Sequence, residues 1–583
     1  MKRLLPYLRR HWLGYSLGIF CTLATATLQM IEPLLIRDAI NAVERGHLDR
    51  LWTFVELLAA IATVGAVGQF FSRFVIFNTG RDIEYELRNN LFSHLTGLGP
   101  EFYQRLRTGD LMSRLINDLT AVRMMLGMGV LALSSTPLLF ACALAFMISM
   151  SPRLALASLI PYLVLFVAIR RLARSLMDRN LKMQQGLGTI AAKVQESLAG
   201  IHMVKAYTLE EHEAARFHDL NDDYNQQGLA VARLRGAMFP MIRSAVTTST
   251  MIVLIYGGSL VLLKRISIGD LVGFMAYLGR LAWPTSSLGW MISIYQRGKA
   301  SLKRLGEIFD AVPPPTVEGD QARLQVAGAV EWDHVSFSYF ARDGSDGKGA
   351  APCALRDISV KVPPGGKLAI VGRTGSGKST MVKLLVRLIQ PSEGRVLLDG
   401  RDIREIPLKA LRRTIGLVPQ EPTLFSDTLA RNIAFARPDA PLSEIAGAAA
   451  IAGLEGDIAV LPHGLETIVG ERGMSLSGGQ KQRVTIARLL TSNPAVVVLD
   501  DALSSVDTET ERAVLKSLEQ SVRDRTTIVV AHRASTVRDA DQIIVLEHGA
   551  IAERGTHEEL MARRGIYAEL FRRQLMEEEL ARY

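Results

Sequence analysis

The sequence predicts a multi-domain fold in which an all-α, membrane-spanning half is followed by an α/β half. Six long apolar stretches lie within roughly the first 300 residues, and a transmembrane helix needs about 20 mostly apolar residues. The remainder alternates short apolar runs with glycine-rich turns, a pattern typical of buried parallel strands. One of these turns carries a glycine-rich motif that ends in Lys-Ser, which indicates a phosphate-binding loop.

The overall composition fits a chain that lies only partly in a bilayer. Its 583 residues suffice for two or three domains, 48% of them are hydrophobic, and the formal net charge is +9. We attribute this charge to basic cytoplasmic loops, because no basic stripe interleaved with aromatic residues indicates nucleic-acid binding. The three cysteines, Cys21, Cys142 and Cys353, show no C-x-x-C spacing, so neither a disulfide framework nor a zinc site is expected.

The apolar stretches are predicted to form six membrane spans. They are Trp12–Ile36, Val55–Phe77, Met128–Met150, Leu154–Ile169, Met238–Leu263 and Leu271–Ile294. The first stretch is too long to be the apolar core of a signal peptide. Three of the others are diluted by Arg73, Arg243 and Arg280, which we expect to face an interior cavity, a partner helix or the interface, because a charge is costly in lipid.

Loop charge predicts the orientation of these spans. The third and fourth spans are joined by Ser151-Pro152-Arg153 alone, whereas the connections on the other side are long and rich in arginine. The positive-inside rule places the long connections and the N-terminus in the cytoplasm. Both connections are rich in helix formers, so we expect helices that extend well past the membrane.

The predicted domains are a transmembrane domain at 1–310, a linker at 311–327 and a nucleotide-binding domain at 328–583. The prolines at Pro313–Pro315 stop the last long helix, because proline lacks an amide donor and clashes with the preceding turn. Strands of the second half are expected at Lys367–Val371, Ala495–Leu499 and Thr527–Val530.

The glycine-rich motif fits G-x-x-x-x-G-K-[ST] and follows the first of these strands. Its residues are Gly372, Arg373, Thr374, Gly375, Ser376, Gly377, Lys378, Ser379 and Thr380. Backbone amides and the start of a helix expected over Met381–Ile389 would bind the phosphates of ATP. Lys378 is expected to reach the β- and γ-phosphates and Ser379 to ligate Mg²⁺. Asp500, at the end of the second strand, is a further candidate Mg²⁺ ligand.

The segment Leu476-Ser477-Gly478-Gly479-Gln480 resembles the signature of the ATP-binding cassette (ABC) family. With the P-loop ahead of it and the six spans, the whole chain resembles a bacterial ABC exporter half-transporter. The resemblance implies a type I exporter fold that binds ATP and Mg²⁺. It also implies a dimer in which each ATP lies between one half's P-loop and the signature of the other, here Ser477, Gly478, Gly479 and Gln480.

The same resemblance assigns roles to residues that would carry little weight alone. It implies that Tyr339 stacks on adenine, that Gln420 contacts Mg²⁺ and that His532 contacts the γ-phosphate. Glu471-Arg472-Gly473 resembles an exporter-specific loop ahead of the signature. Coupling helices, which touch the ATPase domains in the family, are expected near Arg107–Leu111 and Ala199–Tyr207.

The chain departs from the family pattern at Asp501, where a glutamate usually polarises the attacking water. Aspartate is shorter by one carbon–carbon bond, about 1.5 Å, and a misplacement near 1 Å costs on the order of 10²-fold in rate. The segment Ser504–Asp507 also differs from the usual Ser-Ala-Leu-Asp. These neighbours resemble the degenerate half of heterodimeric, MdlA-type multidrug-resistance-like exporters. A homodimeric exporter or lipid flippase with a competent Asp501 is the alternative.

The expected function is ATP-driven export of small amphipathic molecules, drug-like or lipid-like, across the bacterial inner membrane. The expected partners are a second half-transporter, the lipid bilayer and the amphipathic substrate, without nucleic acid. A soluble ATPase with the same signature conflicts with six apolar spans, and an ATP-gated channel needs no different motif. An importer is disfavoured because the spans and the ATPase share one chain.

Overall fold

The computed structural model describes residues 2–47, 49–106, 108–315, 317, 324–339, 353–470, 476–503, 508–531 and 537–580. The chain divides into two compact units. The first comprises Met1–Thr96 and Thr108–Val312, and the second comprises Gly97–Arg107 and Pro313–Tyr583.

The first unit is helical throughout its described part. After a 3-10 turn at Lys2–Leu4, its helices are Leu5–Arg10, Trp12–Glu44, Asp49–Gly97, Thr108–Ser113, Leu119–Met124, Val130–Met150, Pro152–Ala199, Ile201–Ala206, Glu210–Ile252, Gly258–Leu262 and Ile268–Phe309, with π-helical segments at Arg114–Asp118, Met125–Gly129 and Val253–Gly257. The π-helical segments continue the helices on either side, so Thr108–Met150 and Glu210–Leu262 each form one long helix.

Five helices of the described chain are long and apolar enough to cross a membrane, judged by length and composition. They are Trp12–Glu44, Asp49–Gly97, Thr108–Met150, Pro152–Ala199 and Glu210–Leu262. The predicted sixth span, Leu271–Ile294, lies within the continuous helix Ile268–Phe309, which is not among the five. The long connections are helical as predicted, since Asp49–Gly97 has 49 residues and Pro152–Ala199 has 48.

The core of the first unit joins several of these helices. Tyr277 is fully buried, and its hydroxyl donates a 2.7 Å hydrogen bond to the carbonyl oxygen of Met30. Arg280 forms an ion pair with Glu32 on the same pair of helices, in agreement with the expectation of a partner helix. Arg73 and Arg243 are exposed on this unit. Large apolar side chains such as Phe70 and Leu156 are also exposed, as expected of a surface that faces lipid.

The second unit contains two sheets. Its strands are β1 Val330–Ser338, β2 Cys353–Val362, β3 Lys367–Gly372, β4 Glu393–Leu398, β5 Arg401–Asp402, β6 Ile415–Val418, β7 Val496–Asp500, β8 Thr526–Val530, β9 Gln542–Glu547 and β10 Ala550–Gly555. One sheet has the order β2-β1-β4-β5 and is antiparallel, and the other has the order β10-β9-β3-β8-β7-β6. Strands β9, β3, β8, β7 and β6 run parallel.

Helices of several lengths complete the second unit. They are Pro100–Arg105, Lys378–Leu385, Leu408–Thr414, Leu429–Ile433, Leu442–Ile451, Glu455–Val460, Gly478–Ser492, Thr508–Ser521, His557–Arg563 and Ile566–Leu580, with 3-10 turns at Ile403–Glu405, Ala434–Ala436 and Gly464–Glu466. The predicted fold class, an all-α membrane half followed by an α/β half, is confirmed.

The three predicted strands are confirmed within one residue as β3, β7 and β8. A helix follows the loop as predicted, but the predicted bounds, Met381–Ile389, are wrong. The observed helix begins at Lys378 and ends at Leu385. It begins directly after Gly377, whose φ of 106° lies in the left-handed region. It ends before Arg387, which has a φ of 49° and so leaves the helical conformation.

Register places the ends of three parallel strands at one level. Val530 of β8 lies opposite both Ile370 of β3 and Asp500 of β7. Because the carboxyl ends of parallel strands share one edge of the sheet, the loop after β3 and the acidic end of β7 must come together there.

Candidate functional site

The loop between β3 and the helix Lys378–Leu385 depends on glycine at its two ends. Gly372 has a φ of 152°, and a Cβ there would lie 2.3 Å from the carbonyl oxygen of Leu546. Gly377 has a φ of 106°, and a Cβ there would lie 2.6 Å from the carbonyl oxygen of Ala354. Both separations are far below van der Waals contact, so side chains at these positions would displace the loop from β9 and β2.

Lys378 is only 6% exposed and lies against the loop. Its Nζ donates hydrogen bonds to the carbonyl oxygens of Gly372, at 2.8 Å, and Arg373, at 3.0 Å. Burial lowers the pKa of Lys378, while Asp500 and Asp501 act in the opposite direction. A buried ammonium held only by carbonyls is suited to gain an anion, because an added negative charge offsets its desolvation.

Ser376 contributes a buried, unpaired polar atom to the same loop. Its side chain is 5% exposed, and its Oγ has no hydrogen-bond partner among the described residues. A buried hydroxyl normally has a partner. The loop that contains it opens the helix Lys378–Leu385, where the amide groups and the helix dipole favour a phosphate.

Asp500, at the end of β7, faces the start of that helix. Ser379 Oγ donates a 3.2 Å hydrogen bond to Asp500 Oδ1. Burial raises the pKa of the Asp500 carboxyl, and the bond from Ser379 only partly opposes this. A buried carboxylate beside a hydroxyl is an incomplete hard-oxygen site of the kind that Mg²⁺ completes with phosphate oxygens and water.

No group of three or more His, Cys, Asp or Glu side chains placed to hold a metal ion occurs in the described part of the chain. A Mg²⁺ site does not require such a group, because Mg²⁺ usually keeps water ligands and takes only one or two carboxylates from protein. Ser379, Asp500 and Gln420 could supply a hydroxyl, a carboxylate and an amide oxygen.

These groups line one cavity of about 410 Å³. Its lining residues are Tyr339, Cys353, Ala354, Thr374, Gly375, Gly377, Lys378, Ser379, Thr380, Gln420, Asp500, Asp501 and Val530. Ten of the predicted site residues are therefore brought together. Gly372, Arg373 and Ser376 belong to the same loop but do not line the cavity, and Arg373 Nη2 lies 4.0 Å from Glu569 Oε1.

Tyr339 follows directly after β1 and lines the cavity. Its ring packs edge to face against Phe337, with centroids 4.8 Å apart, and its hydroxyl lies 3.2 Å from Thr380 Oγ1. Sequence reasoning did not predict Cys353 and Ala354 as lining residues. Antiparallel pairing places Cys353 opposite Ser338, the neighbour of Tyr339, and no motif marks this tertiary pairing in the sequence.

Asp501 adopts a left-handed backbone conformation directly after β7. Its φ is 52°, and its amide donates a 2.9 Å hydrogen bond to the carbonyl oxygen of Val530. Aspartate is among the non-glycine residues that tolerate this conformation best. The hydrogen bond to β8 holds the Asp501 backbone in place, so side-chain length limits how far its carboxylate can reach into the cavity.

The signature residues form the start of another helix. Ser477 Oγ accepts a 3.2 Å hydrogen bond from the Gln480 amide, and Gln480 Oε1 accepts a 2.8 Å bond from the Ser477 amide. This is a capping box, which satisfies two free amides at the start of helix Gly478–Ser492. Gln480 Nε2 also donates a 2.8 Å bond to Asp457 Oδ1. The residues that line the 410 Å³ cavity do not include Ser477–Gln480.

Several predicted positions lie outside the described residues: Arg107, Glu471–Gly473, Ser504–Asp507 and His532. Of the predicted coupling segments, Ala199–Tyr207 contains the short helix Ile201–Ala206, and Thr108–Ser113 is helical as well. The helix Pro100–Arg105, just ahead of the first segment, belongs to the second unit.

Two family models match the chain. The model of the ABC transporter transmembrane region matches residues 15–285, and the ABC transporter model matches residues 355–504. A probable multidrug resistance ABC transporter ATP-binding/permease protein of Bacillus subtilis, YheI, is 37% identical, over 98% of this chain and 97% of that protein. The multidrug resistance-like ATP-binding protein MdlA of Escherichia coli is 35% identical, over 98% of this chain and 96% of that protein.

A solved structure agrees with these matches. The structure of a bacterial Atm1-family ABC exporter with ATP bound superposes with a TM-score of 0.78 at 30% identity, over 97% of this chain and 98% of that chain. The fold and the phosphate-binding site thus define a membrane-bound ATPase of the exporter type. The chain belongs to the ABC transporter family, as an exporter half-transporter with a transmembrane domain followed by an ATP-hydrolysing domain. It is accordingly a multi-pass membrane protein.

Proposed function

We propose that the chain is the slow-site half of a heterodimeric exporter that moves small amphipathic molecules, drug-like or lipid-like, out across the bacterial cell membrane. The position of Asp501 carries this proposal. It lines the nucleotide cavity beside Asp500, in the place where the family usually has a glutamate. The multidrug names of two relatives support the substrate class.

The geometry of the loop supports the proposed nucleotide-binding roles. Lys378 and the backbone of Gly372–Thr380 would hold the phosphates of ATP, and Tyr339 would stack on its base. Ser379, Asp500 and Gln420 would hold Mg²⁺, which offsets phosphate charge and orients the γ-phosphate when bound. Lys378 would then exchange its two carbonyl partners for phosphate oxygens.

The Asp501 backbone supports the proposed slow-site role. Because the hydrogen bond from the Asp501 amide to the Val530 carbonyl oxygen holds this backbone in place, a carboxylate one methylene shorter ends about 1.5 Å short of where a glutamate would reach. A general base must lie within hydrogen-bond reach of the water it activates. We therefore expect ATP to bind at this site and to be hydrolysed slowly.

The dimeric arrangement is supported by the separate place of the signature. The helix that begins at Gly478 is capped and complete, yet Ser477–Gln480 do not line the chain's own cavity. A signature that serves the second half's P-loop accounts for this. In the proposed pair, the second half contributes a catalytic glutamate, and this chain's signature completes the fast site.

ATP binding would favour the conformation in which the two ATPase domains are closed, and hydrolysis would release it. The equilibrium shifts only by the difference in ATP affinity between the two conformations. A slow site that holds ATP for many cycles would keep one side of the dimer partly closed while the fast site turns over.

The test is ATPase activity of this chain co-expressed with a second half-transporter that carries a catalytic glutamate. We expect replacement of that glutamate by glutamine to abolish activity, and Asp501→Asn to leave most of it. The matched substitution at Asp500 should impair the pair, because it removes a Mg²⁺ ligand. If Asp501→Asn abolishes activity as fully as the partner substitution does, the slow-site proposal fails.

A further inference from the structure

A second cavity, of about 490 Å³, lies within the first unit between two long helices. It is bounded by the stretch Asn117–Met124 of helix Thr108–Met150 and by the stretch Trp290–Arg304 of helix Ile268–Phe309. Its volume is in the range of small-molecule sites. None of its lining residues belongs to the nucleotide site.

The cavity lies at the cytoplasmic boundary of two predicted spans. Met124 precedes the span that starts at Met128, and Trp290 and Ile294 form the end of the span Leu271–Ile294. Arg297 is three residues beyond that end, which is about 4.5 Å along the helix.

The two walls change from apolar to polar in the same direction. Along one helix, Met124 lies nearer the predicted span that starts at Met128, and Asn117 lies farther from it. Along the other, which runs oppositely, Trp290 lies on the membrane side and Arg304 on the cytoplasmic side. A molecule that fits both walls has an apolar tail toward the membrane and a polar head toward the cytoplasm.

The charges of the polar end leave one cation uncompensated. Asp118 is 6% exposed and is held by Arg304, whose Nε donates a 2.9 Å hydrogen bond to Asp118 Oδ2, and by Ser301, whose Oγ donates a 2.8 Å bond to Asp118 Oδ1. Arg297 is exposed and forms no ion pair with any acidic side chain of the described chain. The head that matches this end is therefore an anion.

The walls are fixed by close packing. Helix Ile268–Phe309 approaches its neighbour at Gly298, where a Cβ would lie 2.6 Å from the Cβ of Met125. Met125 opens the π-helical segment Met125–Gly129, and a second π-helical segment ends at Asp118. Such segments re-aim side chains within a helix and recur at functional sites.

We propose that this cavity is a binding site for a single-tailed amphiphilic anion, whose carboxylate or phosphate head contacts Arg297 and whose tail packs against Trp290. Whether the bound molecule is exported rests on the proposed function, because only an exporter would carry it onward. Binding itself rests on the cavity alone, so the two claims fail separately. Trp290 is 44% exposed, so its indole is accessible to a tail.

The test uses the full-length protein in zwitterionic nanodiscs without nucleotide. A bromine-labelled fatty-acid anion quenches tryptophan fluorescence on contact, so its titration reports occupancy beside Trp290. Trp12 and Trp52 are also exposed on candidate spans, so label dissolved in the bilayer adds a non-saturable background. We expect a saturable component above that background, and we expect Trp290→Phe to remove this component. A bromine-labelled alkyltrimethylammonium of the same chain length should bind at least about tenfold more weakly, because a charge-assisted hydrogen bond of 1.5 kcal/mol or more is lost.

Arg297→Gln tests the head contact, and Lys299→Gln is its matched control. Lys299 is an exposed cation on the same helix that does not line the cavity. Arg297→Gln should weaken binding of the anion about tenfold or more and leave the cation unchanged, while Lys299→Gln should leave both unchanged. Equal effects of the two substitutions, or equal binding of anion and cation, would overturn the site. A bromine-labelled alkylphosphate that binds like the fatty acid would identify the shared requirement as negative charge.

Loss of ATPase activity in the pair with intact quenching would count against the proposed function but not against this site. Conversely, the pair could retain ATPase activity that does not depend on Asp501 but show no specific quenching. That result would count against this site but not against the proposed function.

Discussion

Ser379 Oγ donates a hydrogen bond to Asp500 Oδ1 over 3.2 Å, and both residues line the 410 Å³ cavity. The two groups come from different elements, the helix after the P-loop and the end of β7. Their contact means that two of the proposed Mg²⁺ ligands are already adjacent. Burying the charged Asp500 carboxylate costs free energy, and a bound cation offsets this cost.

This cost predicts opposite effects of Asp500→Asn on the nucleotide-free and nucleotide-bound protein. Because burial raises the pKa of Asp500, protonation is stabilising, and that stabilisation is lost as the pH rises through the native pKa. At neutral pH the neutral amide should therefore raise the Tm without nucleotide by on the order of a few degrees. It should also remove most of the further rise that MgATP produces.

Differential scanning fluorimetry over a range of pH measures both effects, with Asp501→Asn as the control. The gain in Tm should shrink as the pH falls through the native pKa of Asp500, because the wild-type carboxyl is then neutral too. A lower Tm for Asp500→Asn at neutral pH would show that the carboxylate is not strained by burial.

Lys378→Ala should weaken ATP binding strongly. The substitution removes a buried cation that now contacts two loop carbonyls and that would contact phosphate. A hydrogen bond to a charged group contributes about 1.5–3 kcal/mol, so the Kd for MgATP should rise at least about tenfold. Equilibrium binding of a fluorescent ATP analogue measures this, and an unchanged Kd would place the phosphates elsewhere.

Two substitutions separate the contribution of the Tyr339 ring to ATP binding from that of its hydroxyl. The hydroxyl contacts Thr380, whereas the ring is the proposed platform for adenine. Tyr339→Ala should weaken ATP binding by about 1–3 kcal/mol, the usual contribution of stacking on a base, or roughly 5- to 150-fold. Tyr339→Phe should bind ATP within about twofold of the wild type, and a large loss in that variant would assign the role to the hydroxyl.

Two glycines of the loop give a matched test of its geometry. Both have positive φ values, 82° at Gly375 and 106° at Gly377, but only at Gly377 does a Cβ meet a carbonyl oxygen, that of Ala354 at 2.6 Å. Gly375→Ala should cost only the backbone strain, about 1–2 kcal/mol. Gly377→Ala should cost on the order of 1–3 kcal/mol more, because the loop must move away from β2. Denaturant titration of both variants compares them, and equal losses would contradict the close approach.

The sequence predicted those parts of the fold that depend on local pattern. Buried strands such as β7 are continuous apolar runs, and the P-loop motif encodes its own strand–loop–helix context. Helix bounds were less accurate, because the start at Lys378 and the end before Arg387 depend on single residues with positive φ. The π-helical segments were not foreseen, since they leave no periodic signal.

The candidate site was predictable in its motifs and not in its tertiary walls. Lys378, Ser379 and Asp500 lie on motifs, and the structure brings them together. Cys353 and Ala354 reach the cavity only because β2 pairs with β1 beside Tyr339. The cavity at Arg297 and Trp290 likewise needs two helices far apart in the chain, so a linear pattern could not show it.

The most direct test of the slow-site account is the steady-state ATPase rate of this chain purified alone, wild type beside Asp501→Glu and Asp501→Asn. The account predicts a low wild-type rate that Asp501→Glu raises about tenfold or more, because the added methylene restores the reach of the carboxylate. Asp501→Asn should remain as low as the wild type. A high wild-type rate that Asp501→Asn abolishes and Asp501→Glu does not increase would show that Asp501 is a competent catalytic residue of a homodimer.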